Sequence, residues 1–438
     1  MIDSAVYHSR YIRAFSGADT VARLGTVTRI MPTYIEADGP GVALGSFCIA
    51  GNVMAEVVKA ERGRVTLAPY APVASLCVGD RVEAVRIGTD VSVGPHLLGR
   101  VVDPLGAPVD GGRPMPTTGD RWPLAGMDTA ALDRVTPTQP LETGCRAIDS
   151  LLTLGIGQRV GIFAGSGVGK TTLLGGLARH IKADICILCL VGERGREADE
   201  FWRHALNDET RKRSVMVVAT SDRPAVMRAR SVPLALAYAE YFRAQGKHVL
   251  LLIDSVTRYA LALREIGLAA GEPPTLRAYT PSVFAALPKI VERCGALRQG
   301  GASTAIMTVL TETDDIDDPM AETLRALLDG HIVLTRAMAE QGHFPAIDVP
   351  RSVSRVLRQV TTLNERTLAT EAVGQLSLYD ASRTLVESGL YVAGSNPALD
   401  LALKTRPALI QFLKQDVSLS TSRAQALTDL AELLGETA

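Results

Sequence analysis

The chain runs to 438 residues, 47% hydrophobic and 21% charged, with a formal net charge of -1. At about 100–200 residues per domain, this length predicts two to four domains of ordinary globular composition. The near-neutral balance excludes a global pull toward nucleic acid or acidic lipid.

The opening segment, MIDSAVYHSRYIR, has no apolar stretch after its charges, so no secretory leader is expected. No apolar run approaches the roughly 18 residues of a membrane helix, and a cytoplasmic protein is the expectation. Up to about residue 90 the segments are short, often β-branched and punctuated by glycine, as in LGTVTRIM, VALGSFCIAG and GDRVEAVRI. Regularly spaced short strands predict a small β-barrel or sandwich over 1–90. The glycine- and proline-rich stretch from DPLGAPVDGGRPMP to TTGDRWPLAG reads as a connector.

From about Leu141 the pattern changes to continuous apolar runs alternating with amphipathic helical stretches. The runs are RVGIFAG, ICILCLVGE, SVMVVATS, HVLLLIDS, STAIMTVL and HIVLTR. Strands apolar on both faces belong to a parallel sheet covered by helices, which predicts an α/β domain over 91–355. Beyond residue 356 helical spacing dominates. Asn396-Pro397 reads as the cap and first position of one helix in a small helical domain over 356–438. The six cysteines do not suggest a disulfide framework, and Cys186 and Cys189 would point to opposite faces of one strand. The seven histidines show no metal spacing, and the basic run Arg211-Lys212-Arg213 reads as a solvated helix end or turn.

Within the α/β segment, Ala164-Gly165-Ser166-Gly167-Val168-Gly169-Lys170-Thr171 has phosphate-loop spacing, with Ala164 where the strict pattern has glycine. Gly167 and Gly169 would let backbone N–H groups approach phosphate oxygens, at the positive end of the helix TTLLGGLARHI. Lys170 should reach the β- and γ-phosphates of ATP, and the Thr171 hydroxyl should hold Mg²⁺. Thr172 follows in the first turn. Asp254 ends the apolar run HVLLLID, where such enzymes keep a second magnesium carboxylate; the alternative is a cap for VTRYALALREI. Glu193 ends ICILCLVG and could polarise an attacking water. Its alternative is a surface ion pair with Arg194 or Arg196.

VGERGRE, the phosphate loop and LLLIDSVTRYA together resemble the catalytic subunits of rotary ATPases. PLETGCRAIDSLLTLGIGQRVGIFAGSGVGKTTLL, REIGLAAGEPPTLRAYTPSVFAALPKIVER, DGHIVLTRAMAEQGHFPAIDVPRSVSRVL and GLYVAGSNPALDLALK narrow the resemblance to the ATPases of type III protein export. It runs from about Leu24 to about Lys414. YTPSVF, REIGLA and DDIDDPMAETLRALLDGHIVL look more like the flagellar branch than the injectisome branch.

The resemblance implies an α/β phosphate-loop NTPase core of RecA-like type, between an N-terminal β-barrel and C-terminal helices. It makes Glu193 the catalytic carboxylate, places Arg194 and Arg258 near the γ-phosphate, packs Phe344 against adenine, and makes Arg355 an arginine finger for a neighbour's site. Phe344 stands where tyrosine is commoner, which keeps stacking and loses a hydroxyl. Ala278, before Tyr279, stands where glycine is typical, in a loop expected to face a central pore.

Because one chain carries both Lys170 with Glu193 and Arg355, head-to-tail copies could build complete sites, and closure of that contact gives a homohexameric ring. By resemblance, the expected partners are a stalk-like pore protein, a regulatory or stator protein, the export gate and chaperone–cargo complexes. The expected place is the cytoplasmic face of the inner membrane, with peripheral association through the export apparatus. The acidic run Asp314 to Asp318 reads as a solvated loop. The competing readings are a rotary synthase subunit, an RNA-translocating hexamer of the Rho type, and a nucleotide-binding scaffold without turnover. The Rho reading wants basic residues interleaved with aromatics, and aromatics are 5% of the chain.

Overall fold

The computed structural model describes residues 23–85, 89–116, 119–311 and 318–435. The opening segment and the acidic run up to Asp317 lie outside the described residues. Six short strands close an antiparallel barrel: β1 (Leu24–Ile30), β2 (Ile35–Asp38), β3 (Phe47–Ala50), β4 (Val53–Glu61), β5 (Arg64–Pro69) and β6 (Arg81–Val85), in the order β1-β2-β5-β4-β3-β6. Alternation builds it: Val53, Ala55 and Val57 of β4 point inward and are buried, with partly exposed residues between them. Gly63 takes a φ of 78° to close the tight connection between β4 and β5. Val27, Ile35, Leu67 and Val82 fill the interior.

The second architecture is a largely parallel sheet. Its strands are β7 (Arg100–Val102), β8 (Arg159–Ala164), β9 (Ile185–Glu193), β10 (Ser214–Thr220), β11 (His248–Asp254), β12 (Ala302–Leu310), β13 (Gly330–Leu334) and β14 (Ile347–Ser354). They lie in the order β14-β13-β8-β12-β11-β9-β10-β7, and neighbours along this path are parallel except β13 and β14; two short strands off the path, Gly295–Leu297 and Arg134–Val135, attach antiparallel beside β12. All nine residues of β9 are buried, so its uninterrupted apolar run reflects cover on both faces. The helices α1 (Lys170–His180), α2 (Ala225–Ala244), α3 (Val256–Ala269) and α4 (Pro319–Leu327) follow strands of this sheet. Cys186 and Cys189 are buried free thiols, pushed up by burial to about 11 and about 12.

Beyond the sheet, the C-terminal part of the described chain is built mainly of three helices: α5 (Leu363–Glu387), α6 (Pro397–Leu413) and α7 (Arg423–Leu434). Thr362 and Glu365 start α5 with a reciprocal capping box. Asn396 starts α6 by accepting from the Ala398 and Leu399 N–H groups, with Pro397 in the first position, as its sequence predicts. Leu368, Leu376, Leu409, Phe412 and Leu430 from these helices share one buried cluster with Ile162 of β8 and Leu174 of α1. Each such side chain contributes about 1.5–3 kcal/mol on leaving water, which fastens the helices to the α/β core. The described chain accordingly forms two compact units. One is the barrel with the stretches 224–226 and 265–273; the other holds the sheet, its helices and the C-terminal helices.

Candidate active site

Strand β8 ends at Ala164, and the chain turns through Gly165–Gly169 before α1 begins at Lys170. Gly167 and Gly169 have φ values of 80° and 88°, in the left-handed region. A Cβ on Gly167 would meet nothing within 4 Å, so backbone conformation, and not crowding, requires glycine there. No side chain caps α1. Its first N–H groups and the positive end of its dipole are therefore available to an anion, as a phosphate cradle needs. Ser166, Thr171 and Thr172 are exposed around this loop, while Val168 is buried beneath it.

The carboxyl edge of the parallel sheet brings three sequence-predicted residues together. Lys170 extends its ammonium to Asp254 Oδ1 at 2.6 Å and lies 3.5 Å from Glu193 Oε1. Arg258, on α3, meets Glu193 Oε2 at 2.7 Å and also donates to the Gly192 carbonyl. Glu193 and Asp254 are almost wholly buried. Two carboxylates thus face two cations, which lets all four remain together in a partly dry site. Burial raises the Glu193 carboxyl pKa, the neighbouring Glu197 carboxylate raises it further by accepting from the protonated form, and Lys170 and Arg258 pull it back; the net direction is up. Among the described residues its buried Oε1 makes no hydrogen bond, with the Lys170 ammonium 3.5 Å away.

The Thr308 hydroxyl, from β12, donates to Asp254 Oδ1 at 2.7 Å and fixes that carboxylate. The Asp254 carboxylate and the Thr171 hydroxyl, on α1 next to Lys170, are oxygen donors of the kind Mg²⁺ accepts. Among the described residues no group of three or more His, Cys, Asp or Glu could hold a metal ion by itself.

Beside the loop lies a pocket of about 340 Å³, lined among others by Thr143, Leu173, Phe344, Pro345, Gln415 and Val417. The Phe344 ring is half-exposed, and its edge would lie 3.6 Å from a Cβ built on Gly169. An apolar slot with an aromatic wall beside a phosphate cradle suits a nucleobase. One wall comes from far along the chain. Gln415 donates from its backbone N–H to the Phe344 carbonyl at 2.9 Å and from its side-chain amide to the Gly144 carbonyl at 2.7 Å. The Arg146 N–H donates to Gln415 Oε1 at 2.8 Å. The sequence carries no local signal for Thr308, Thr143 or Gln415, because only the tertiary fold brings them to the site.

Two predicted residues stand apart from this cluster. Arg194 is exposed and lies 3.8 Å from Glu197, so its guanidinium does not join Lys170 and Glu193. Arg355 follows β14, whose Ser354 pairs with Gly330 at the start of β13. Its N–H donates to the Asp329 carbonyl, and the Asp329 N–H donates to the Arg159 carbonyl at the start of β8. The phosphate loop leaves the other end of β8. At 3.3 Å per residue, Arg159 to Ala164 spans about 16 Å. Arg355 therefore sits at the amino edge of the sheet, away from the phosphate loop of its own chain.

A phosphate loop, a buried glutamate and a strand-end aspartate on one edge of a RecA-like sheet define a nucleoside triphosphatase of the ATP synthase alpha/beta type. Residues 144–354 match the ATP synthase alpha/beta family, nucleotide-binding domain, and residues 361–432 match the T3SS EscN ATPase C-terminal domain. The chain is 44% identical to the flagellum-specific ATP synthase of Bacillus subtilis (strain 168), over 95% of this chain and 96% of that protein. It is 46% identical to the SPI-2 type 3 secretion system ATPase of Salmonella typhimurium, over 91% and 92%. The assembled ATPase EscN of the enteropathogenic E. coli type III secretion system superposes with a TM-score of 0.90 at 42% identity, over 94% of this chain and 100% of that one. The chain belongs to the family of flagellum-specific ATP synthases and type 3 secretion ATPases, and it is an ATPase of type III protein export. Among the described residues no helix is long and apolar enough to cross a membrane.

Proposed function

We propose that this chain hydrolyses ATP as a homohexameric ring that energises export of flagellar proteins, with each site shared between two neighbours. The division of labour is a barrel over 1–90, an ATPase domain over 91–355 and a helical domain over 356–438. The observation that carries this reading is the separation within one chain: Lys170, Glu193, Asp254 and Arg258 gather at one edge of the sheet, and Arg355 stands at the other. Head-to-tail contact between copies brings the two edges together, and closure makes a ring.

In such a site Gly165–Gly169 and the first turn of α1, from Lys170 to Thr172, hold the phosphates, and Lys170 leaves Asp254 for the β- and γ-oxygens. Thr171 and Asp254 hold Mg²⁺, which when bound neutralises charge on the phosphate oxygens. Glu193, freed from Lys170, accepts a proton from water positioned at its open Oε1. Arg258 keeps Glu193 oriented and faces the γ-phosphate, with Arg194 turning in from the surface on closure. Phe344 stacks on adenine. Arg355 of the neighbouring copy supplies positive charge to the transition state, commonly worth about 10³–10⁵ in rate.

The flagellar branch is supported by relatives named flagellum-specific ATP synthase in Bacillus subtilis and Pseudomonas aeruginosa, which match 95% and 94% of this chain. The EscN likeness and the SPI-2 relative support the injectisome as the second reading. EscN is also seen with its central stalk EscO, superposing with a TM-score of 0.85, which supports a stalk-like partner here. A stator protein, an export gate and chaperone–cargo complexes at the cytoplasmic face of the inner membrane complete the proposal.

Phosphate release by the purified chain across a range of concentrations, beside Glu193→Gln, tests it. Turnover per chain should rise with concentration, and the variant should lose about 10²–10⁴-fold in kcat while still binding nucleotide. Turnover independent of concentration, or unharmed in the variant, contradicts the reading.

A further inference from the structure

Helix α4 (Pro319–Leu327) is held at both ends by residues from elsewhere. At its start, Asp318 divides its carboxylate. Oδ1 caps the helix by accepting from the Met320 N–H at 2.8 Å and the Ala321 N–H at 3.2 Å. Oδ2 accepts from Arg277 at 3.0 Å. Arg277 and Ala278 are the described non-glycine residues with positive φ, at 53° and 60°. L-residues there sit in a costly backbone region, so this conformation needs outside support. At the other end of the helix, the Arg355 guanidinium donates to the Arg325 carbonyl at 2.9 Å and the Ala326 carbonyl at 3.3 Å. These belong to the last turn, whose carbonyls have no intrahelical partners and carry the negative end of the dipole.

The middle of the helix is fixed. Met320, Ala321 and Leu324 are buried, and the Arg325 guanidinium lies 5.0 Å above the Phe163 ring of β8, the strand that feeds the phosphate loop. Nine residues at 1.5 Å each make a bar about 13 Å long. Asp318 thus ties the Arg277–Ala278 turn to one end of the helix, and the Arg355 guanidinium is hydrogen-bonded to the other.

We propose that Asp318 is a positioning residue for the reaction: through α4 it couples the left-handed turn at Arg277–Ala278 to the orientation of the Arg355 guanidinium. This rests on the reading that Arg355 serves a neighbour's site. Asp318 is bonded to Arg277 and the start of α4 and lines no part of the pocket beside the phosphate loop, so its effect falls on the rate of the chemical step and not on nucleotide affinity.

The test is a double-mutant cycle on assembled rings, with kcat and KM for ATP measured separately. Asp318→Asn keeps a good capping side chain and removes the charge opposite Arg277. Arg277→Gln removes the same pair from the other side and leaves the cap intact. Each should lower kcat about tenfold with KM unchanged, well below the roughly 10²-fold that a 1 Å misplacement can cost. In an Arg355→Ala background, whose own kcat is already low, adding either change should have no further effect. Equal fold-losses with and without Arg355, or losses that appear in KM, overturn the coupling. An Arg355→Ala ring that keeps full turnover would sink the shared-arginine reading itself, and is seen separately in the parent of the cycle.

Discussion

At Glu193, burial and charge pull in opposite directions. Desolvation raises its carboxyl pKa, and Lys170 and Arg258 lower it without cancelling the rise. A general base must be ionised, so a raised pKa moves the loss of activity to higher pH than an ordinary glutamate near 4.3 would give. The acid limb of kcat should therefore lie above that value. Arg258→Gln removes one of the lowering charges, so the limb should move further up, measured by single-turnover hydrolysis across pH. A limb that moves down would mean that Glu193 is not the titrating group. Lys170, Glu193 and Asp254 were legible in the sequence because each stands beside an apolar strand run, where chemistry collects on a parallel sheet. Arg258 was legible only through resemblance, since LIDSVTRYA by itself reads as a helix start. Thr308 was not legible: inside STAIMTVL a threonine is an ordinary strand former.

Among the elements, the connector between α6 and α7 bears most directly on the site. The Gln415 side chain bridges the Gly144 and Leu419 carbonyls and accepts from the Arg146 N–H, at 2.7, 3.0 and 2.8 Å. It forms part of one wall of the pocket proposed for the base, and its side-chain bonds go to none of the phosphate-loop residues. Losing such a bridge costs on the order of 1–3 kcal/mol, so Gln415→Ala should raise KM for ATP about tenfold with kcat largely kept. Tripolyphosphate, which has no base, should bind the variant as it binds the parent in a competition assay. Equal weakening of both ligands would show that the phosphate loop itself had shifted. The alternation of strands and helices was readable from periodicity, as was the start of α6 at Asn396-Pro397. The docking of α5–α7 into the same core as β8 was not, because periodicity marks the apolar side of a helix without naming what covers it.

At the scale of the whole molecule, the polarity of the sheet governs how a site can be completed. Strands β8 and β13 run parallel, and β14 turns back against them, which carries Arg355 to the edge opposite the phosphate loop. On the proposed reading, a chain arranged this way holds both halves of a site and cannot join them alone. The sequence showed both halves, but their separation depends on the direction of β14, which no local pattern encodes. The ring follows from closure of a head-to-tail contact between identical copies.

The most direct test of this shared site mixes two inactive variants, Lys170→Ala and Arg355→Ala, at varied ratios before assembly. Intact Lys170 from one and intact Arg355 from the other should meet at about a quarter of interfaces in an even random mixture, and phosphate release should peak there. Activity that stays at the level of the separate variants at every ratio, with mixed rings shown to form, would contradict the account.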